Sequence, residues 1–267
     1  MELLRDKAKS LLTGGAVQVV IGYAAGSATD RFRPHFARSA DDADRLIFGE
    51  GCRQNLAVYL LKPEVRAMGK AAVVGGPTTL RTLLQYAVEN QIADGLVVAL
   101  ALEDGRVEEL TSFAAVEEYL AQRPHGLSDG DRAELEQHAA RSQKDRWAYW
   151  SAELARCIRC YACRAACPLC YCEQCITENN QPQWVPVASD AFGNLEWNVV
   201  RAMHLAGRCV NCGSCAAACP ENIRIDLLNQ VLAQEAMTQF GAEAGYSVRK
   251  EYALSVFKPD DKETFIR

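Results

Sequence analysis

No stretch of this chain approaches the roughly 20 apolar residues of a membrane-spanning helix; the most apolar segment, residues 95–102, has the length of a buried strand. Positive charge is in short supply. The formal net charge of −5 excludes the broad basic field that attracts nucleic acid or an anionic membrane. An apolar signal core is also missing: the chain opens Met1-Glu-Leu-Leu-Arg-Asp-Lys7, so a cytoplasmic location is expected rather than export by a standard signal peptide. A hydrophobic content of 49% argues against disorder, and 267 residues suffice for one large domain or two ordinary ones.

Cysteine is what the chain has in quantity. Seven of its twelve cysteines fall within residues 157–175, as Cys157-x2-Cys160-x2-Cys163-x3-Cys167-Pro168-x-Cys170-x-Cys172-x2-Cys175. A second run, Cys209-x2-Cys212-x2-Cys215-x3-Cys219-Pro220, repeats the first four positions and the proline. Twelve cysteines in a secreted chain would suggest disulfides; clustered C-x2-C spacing without a signal peptide points instead to metal in a reducing cytosol. This spacing is the bacterial ferredoxin pattern for a 4Fe–4S cluster, because thiolates are soft anionic ligands and four of them hold a cubane of iron and sulfide. In two-cluster ferredoxins the fourth cysteine of each run ligates the other cluster. One cubane is therefore expected on Cys157, Cys160, Cys163 and Cys219, and the other on Cys209, Cys212, Cys215 and Cys167. Structural zinc uses two C-x2-C pairs and leaves two full three-plus-one patterns unexplained. Cys170, Cys172, Cys175 and Cys52 remain. They would make a third cubane, with Cys52 at the start of a helix behind Gly51, where a thiolate is favoured. The other reading makes Cys52 a small buried hydrophobe and gives the remaining three a different ligand.

Residues 1–125 read as an α/β domain. Helices are expected over 2–12, from Ser39 towards Ile47, over 52–61, over 80–90 and from Ser112 to Gln122; strands are expected over 17–23, 31–37, 70–74 and 96–102. Strands alternating with helices predict a mostly parallel sheet covered on both faces, ending at the breakers Arg123-Pro124-His125-Gly126. The one chemical feature is the strand–helix junction Gly75-Gly76-Pro77-Thr78-Thr79. Backbone N–H groups there, at Gly75, Gly76, Thr78 and Thr79, could bind a phosphate of a flavin or nucleotide. The junction matches neither the Walker nor the G-x-G-x-x-G pattern, and the plainer reading is a tight turn with Pro77 at the first helical position.

Residues 126–267 read as an α-helical-type two-cluster ferredoxin domain with a C-terminal tail. Residues 128–155 are expected to form one long helix, with Trp147, Tyr149 and Trp150 as a packed lid near the first cysteine. A helix over 194–206 is expected to bury Leu195, Val199, Ala202, Met203 and Ala206, and another runs over 225–239. His204, just over one helical turn before Cys209, is expected in the core, the other reading being a hydrogen-bond donor near a cluster. Arg156, Arg159, Arg164 and Arg208 flank the cysteine runs, mostly as solvated charges, with one or two bonding to or raising the potential of a cluster. The tail, 253–267, sets apolar anchors among charges, suited to packing on its own domain or across a partner.

The two cysteine runs, together with His204-Leu-Ala-Gly-Arg208, Val19-Val-Ile-Gly-Tyr23, Cys52-Arg-Gln-Asn-Leu-Ala57 and Lys258-Pro-Asp-Asp261, carry a resemblance over most of the chain. The chain resembles ferredoxin-like proteins related to the beta subunits of deazaflavin-dependent hydrogenases and formate dehydrogenases, which accompany heterodisulfide-reductase-like and other multi-subunit redox complexes. The resemblance implies an electron-transfer subunit working through 4Fe–4S clusters with partner subunits of such a complex. Some relatives bind a flavin and exchange hydride with the deazaflavin coenzyme, and in the family the strand after the Cys52-like segment often runs into a Gly-Cys-Asp-Ser-Arg-like loop. Here that place reads Gly75-Gly-Pro-Thr-Thr79, without the cysteine or the acid. A flavin-bearing subunit linking two-electron and one-electron carriers is therefore the alternative reading. A purely structural scaffold would need only one metal.

Overall fold

A five-stranded sheet in the order β2-β1-β3-β4-β5 organises the N-terminal half of the computed structural model, which describes residues 1–248 except 30, 104, 125 and 180. In chain order, α1 (Glu2–Thr13) leads to β1 (Val19–Ala25), β2 (Phe32–Ala37) and the short α2 (Ala40–Ala43). A 3-10 turn (Leu56–Tyr59) and α3 (Pro63–Arg66) precede β3 (Ala71–Gly75), α4 (Pro77–Val88), β4 (Val97–Glu103), β5 (Arg106–Leu110) and α5 (Phe113–Ala121). The tail at 253–267 lies outside the described residues.

The sheet is mixed rather than mostly parallel. β1, β3 and β4 run parallel in the centre, while β2 pairs antiparallel with β1 and β5 antiparallel with β4. The physical reason is connection length. No helix lies between β1 and β2 or between β4 and β5, and strands joined by a short turn can only return antiparallel. At the second turn Gly105 takes φ +77, which only glycine adopts cheaply. β5 itself, Arg-Val-Glu-Glu-Leu, has too few apolar residues to announce a strand, and it is half exposed as an edge.

Central strands are buried on both faces, with alternate residues entering different cores. Val20, Ala72, Val74, Val98 and Leu100 face Leu4, Ala8 and Leu11 of α1. Val19, Ile21, Val73 and Ala99 face the 3-10 turn, α4 and α5. The segment expected as a helix over 52–61 is only that 3-10 turn, capped by Asn55, whose side chain accepts from Ala57 N–H. α2 is likewise shorter than expected, although Ser39 caps it as the sequence indicates.

The C-terminal half is helical: α6 (Asp129–Ala139), α7 (Gln143–Ala155), α8 (Ala162–Ala166), α9 (Ala191–His204), α10 (Ser214–Ala217) and α11 (Ile225–Phe240). The long helix expected over 128–155 is broken in two because Ser142 caps a new start, accepting from Asp145 N–H. Leu169, Leu205, Val210 and Ala244 enter the core beneath α4, so the two halves share one apolar interior. Polar links reinforce that contact. Tyr86 O–H donates to Pro168 O at 2.7 Å, Asn55 N–H to Ser214 Oγ at 2.8 Å, and the Arg81 guanidinium to Ala244 O at 2.8 and 3.1 Å. Glu89, at the end of α4, takes both forks of Arg208 at 2.6 and 2.7 Å and also accepts from Tyr171 O–H and Gln85.

Candidate metal centres

The two cysteine runs build the same loop twice. Between the first and second cysteines of each run, Arg159 (φ +56) and Asn211 (φ +56) are left-handed, and so are the residues after the second cysteines, Tyr161 (φ +60) and Gly213 (φ +70). Two αL residues in four curl the backbone so that its N–H groups point inward, at a cost of order 1–3 kcal/mol for each non-glycine. The curl directs Arg159 N–H onto Cys157 Sγ and Asn211 N–H onto Cys209 Sγ, both at 3.4 Å. Short helices α8 and α10 then carry the third cysteines, Cys163 and Cys215.

Each loop lines a small cavity that it completes with a cysteine of the other run. Cys157, Cys160 and Cys163 share theirs with Cys219, whose sulfur accepts from Ile223 N–H at 3.4 Å. Cys209, Cys212 and Cys215 share theirs with Cys167. Cys160 is exposed, which puts the first cavity near the surface; Cys167, Cys209 and Cys212 pack against the core beneath the sheet. Among the described residues, no three His, Cys, Asp or Glu side chains converge closely enough to chelate a single ion.

Burial pushes the Cys163 thiol up to about 11 and Cys209 up to about 12, and holds Cys215 well above the usual range, with Arg201 pulling all three back down. Soft thiols that are costly to ionise unaided suit a metal group that takes the proton's place. Orphaned donors point the same way. Trp197 lines the first cavity, yet its indole N–H, like Arg201 Nε, is buried without a partner. Buried donors are almost always satisfied, so a sulfur-rich group beside them fits this donor set.

Arg201 and Trp197 are the residues that the sequence reading misses. Of the face expected for α9, Ala202 is buried and Leu195 is packed beside Leu154, but Val199 and Met203 are 40% and 56% exposed, whereas Asn194, Trp197, Asn198 and Arg201 are buried. The signal was the polar–aromatic stripe at 194, 197, 198 and 201, which has helical spacing but is the opposite of a hydrocarbon face. Asn194 donates to Cys157 O at 2.7 Å and accepts from Arg159 Nε at 3.0 Å, so the stripe grips the first loop. His204 is exposed; the buried histidines are His35 and, in this half, His138, packed against Tyr149 and Trp150. Trp150 lies against the apolar cluster of Cys157, Cys163 and Cys219, while Trp147 points to solvent.

Cys52 lines a cleft of about 1010 Å³ with Cys212, three residues before the Asn55 cap rather than at a helix start, and burial raises its thiol. Cys170 lies against Cys167, whose hydrogen bond, with the Arg201 and Arg208 charges, favours its thiolate. Cys172 is exposed, and Cys175 Sγ lies 3.0 Å from Thr177 Oγ1.

At the glycine junction, Pro77 opens α4 after Gly76, Thr79 is buried, and Thr78 alone of the four faces the 1010 Å³ cleft. A Cβ on Gly75 would lie 2.3 Å from Thr79 Oγ1. Gly75→Ala is therefore expected to destabilise the chain by about 1–3 kcal/mol, measured as a lower denaturation midpoint at unchanged slope.

Comparison with known proteins places these cavities in a family context. Residues 156–224 match the 4Fe-4S dicluster domain. The chain is 38% identical over 76 residues to the F420-dependent formate dehydrogenase subunit beta of Methanocaldococcus jannaschii, a match covering 28% of this chain and 18% of that subunit. The chain is an iron–sulfur protein related to that subunit, and residues 156–224 are its 4Fe-4S dicluster domain.

Proposed function

We propose that the chain is an electron-transfer subunit of a multi-subunit oxidoreductase. One 4Fe–4S cluster is held by Cys157, Cys160, Cys163 and Cys219, and a second by Cys209, Cys212, Cys215 and Cys167. The observation that supports this best is the pair of cavities, each combining three cysteines of one run with the fourth of the other. Bound there, the clusters supply reversible one-electron chemistry. The protein's part is to hold the sulfurs in place, exclude water and set the charge. N–H groups of Arg159, Asn211 and Ile223 stabilise negative charge on sulfur, which raises a cluster's potential. We assign residues 1–125 and 126–267 to two domains that share an interior. The second ligand set lies against the α/β domain and the first towards the surface, an arrangement suited to exchange with partner subunits of a hydrogenase, formate dehydrogenase or heterodisulfide-reductase-like complex. A reducing cytoplasm suits twelve free thiols.

A second reading, a flavin-bearing subunit, is favoured by one observation. The 1010 Å³ cleft lies beyond the carboxyl ends of β1 and β3, where the chain switches direction across the sheet, and it is lined by Thr78, Arg31, Arg53 and Cys212. Open α/β sheets bind ligands in such crevices.

One anaerobic preparation tests both. Brown protein with about 8 irons per chain, bleaching on reduction, is the expected result. Colourless protein with zinc would overturn it, and about 12 irons would call for a third ligand set from Cys52, Cys170, Cys172 and Cys175. Yellow flavin released by acid would promote the second reading.

A further inference from the structure

We propose that Arg201 is a positioning residue shared by both cluster sites, whose buried charge sets the potentials of the two together. The proposal rests on the cluster assignment above and goes beyond it. Arg201 projects from α9 and is 3% exposed. Its Nη2 donates to Cys163 O at 3.0 Å, which fixes the guanidinium against the third ligand of the first set. The guanidinium also bonds to Cys170, of neither set, which in turn lies hydrogen-bonded against Cys167 of the second; Cys163, Cys167 and Cys215 are the ligand thiols whose charge it feels. Nε is buried and unpartnered, and among the described residues Arg201 enters no ion pair.

A buried guanidinium without a carboxylate is costly unless other negative charge surrounds it. Arg208, also near Cys170, differs because Glu89 neutralises it. At Arg201 the nearest such charge is that of the Cys170 thiol, to which it bonds, and the ligand sulfurs of Cys163, Cys167 and Cys215 add to it. Four thiolates around a 4Fe–4S core leave a net negative charge, which grows by one when an electron is added and no proton is taken up. A permanent cation between two such sites stabilises the reduced form of each, and its free N–H is placed to bond to a sulfur; both effects raise potential. One side chain therefore biases two redox centres in the same direction. Keeping them close in potential is what a relay requires.

The test is a redox titration with dithionite, followed by EPR, on the full chain and its variants. Arg201→Gln is expected to lower the reduction equilibrium constant of both clusters at least tenfold, about 59 mV for a one-electron couple. Arg201→Lys should shift both by less, and Arg106→Gln, on the exposed edge strand, should shift neither. A shift confined to one cluster, or none, overturns the proposal. A measurement on the unmutated chain guards against loss of clusters in Arg201→Gln. Protein carrying arginine labelled with 15N in the guanidinium alone, so that the Arg159 backbone N–H on Cys157 is silent, should show a nitrogen hyperfine coupling to the reduced clusters that disappears in Arg201→Lys, and absence of that coupling also overturns it. Unmutated protein that binds no clusters would instead overturn the function proposed above.

Discussion

Cys219→Ser is expected to reduce the iron content from about 8 to about 4 per chain, and the cluster that survives should be the one left by Cys160→Ser. Cys219 belongs to the second run in sequence but lines the cavity of the first. The converse pair is Cys167→Ser and Cys212→Ser, which share the other cavity and should leave a common residual spectrum. EPR of the reduced proteins separates the two assignments, whereas the iron count alone does not. If Cys219→Ser matched Cys212→Ser instead, each run would hold its own cluster and the crossed ligand sets would be wrong. The effect should reach the fold as well. Cys219 and Cys163 pack beside Leu154, Ile223 and Ile225, so an unfilled site there leaves α7, α8 and α11 without the group they surround.

Removing the carboxylate of Glu89 should have the second largest effect. It lies at the end of α4 and its side chain is 8% exposed, while Arg208 is held on it by two bonds of 2.6 and 2.7 Å. Glu89→Leu strands that guanidinium and the Tyr171 hydroxyl between the two halves of the molecule, at a cost of about 3 kcal/mol, the low end for a broken buried pair because Arg208 retains some solvent. Glu89→Leu with Arg208→Leu should recover most of the loss. Chemical denaturation of the single and double variants measures both. Acid provides a further test. Burial alone would raise the Glu89 carboxyl, but the bonds and charge of Arg208, then the bonds from Tyr171 and Gln85, outweigh it and lower it. A depressed folded-state value means that this stabilisation is complete above the unfolded carboxylate range, near pH 4.3, and is lost as pH falls through the lower folded value. Glu89→Gln should remove that portion of the acid dependence; an unchanged acid profile would show that the carboxylate contributes nothing there.

Legibility from sequence followed the range of the interactions. Helix starts at Ser39 and Ser112 could be read because a cap needs only a hydroxyl and an N–H three residues on. The cysteine loops could be read because three ligands at x2 spacing lie within one curl of backbone. The face of α9 could not. Its apolar stripe at Val199 and Met203 looked like a core face, but α9 packs on α7 and α11 with one side against the first cysteine loop, and beside its thiols and carbonyls the residues worth burying are Asn194, Trp197 and Arg201. Strand β5 was hidden for a related reason. An edge strand needs apolar residues on one side only, and Arg-Val-Glu-Glu-Leu supplies just two.

By itself the sequence determined the ligand type, the two-fold repeat of the cysteine loops and the absence of a long apolar span, because each depends on composition or on spacing of a few residues. Tertiary structure decided which loop shares a cavity with which distant cysteine, and that Cys52 and Cys212 line one cleft. It also decided that Arg201 is buried with its guanidinium on Cys163 O. Those are distances across the fold, set by how α8 and α10 pack on each other and how α4 packs on both halves. No spacing along the chain encodes them.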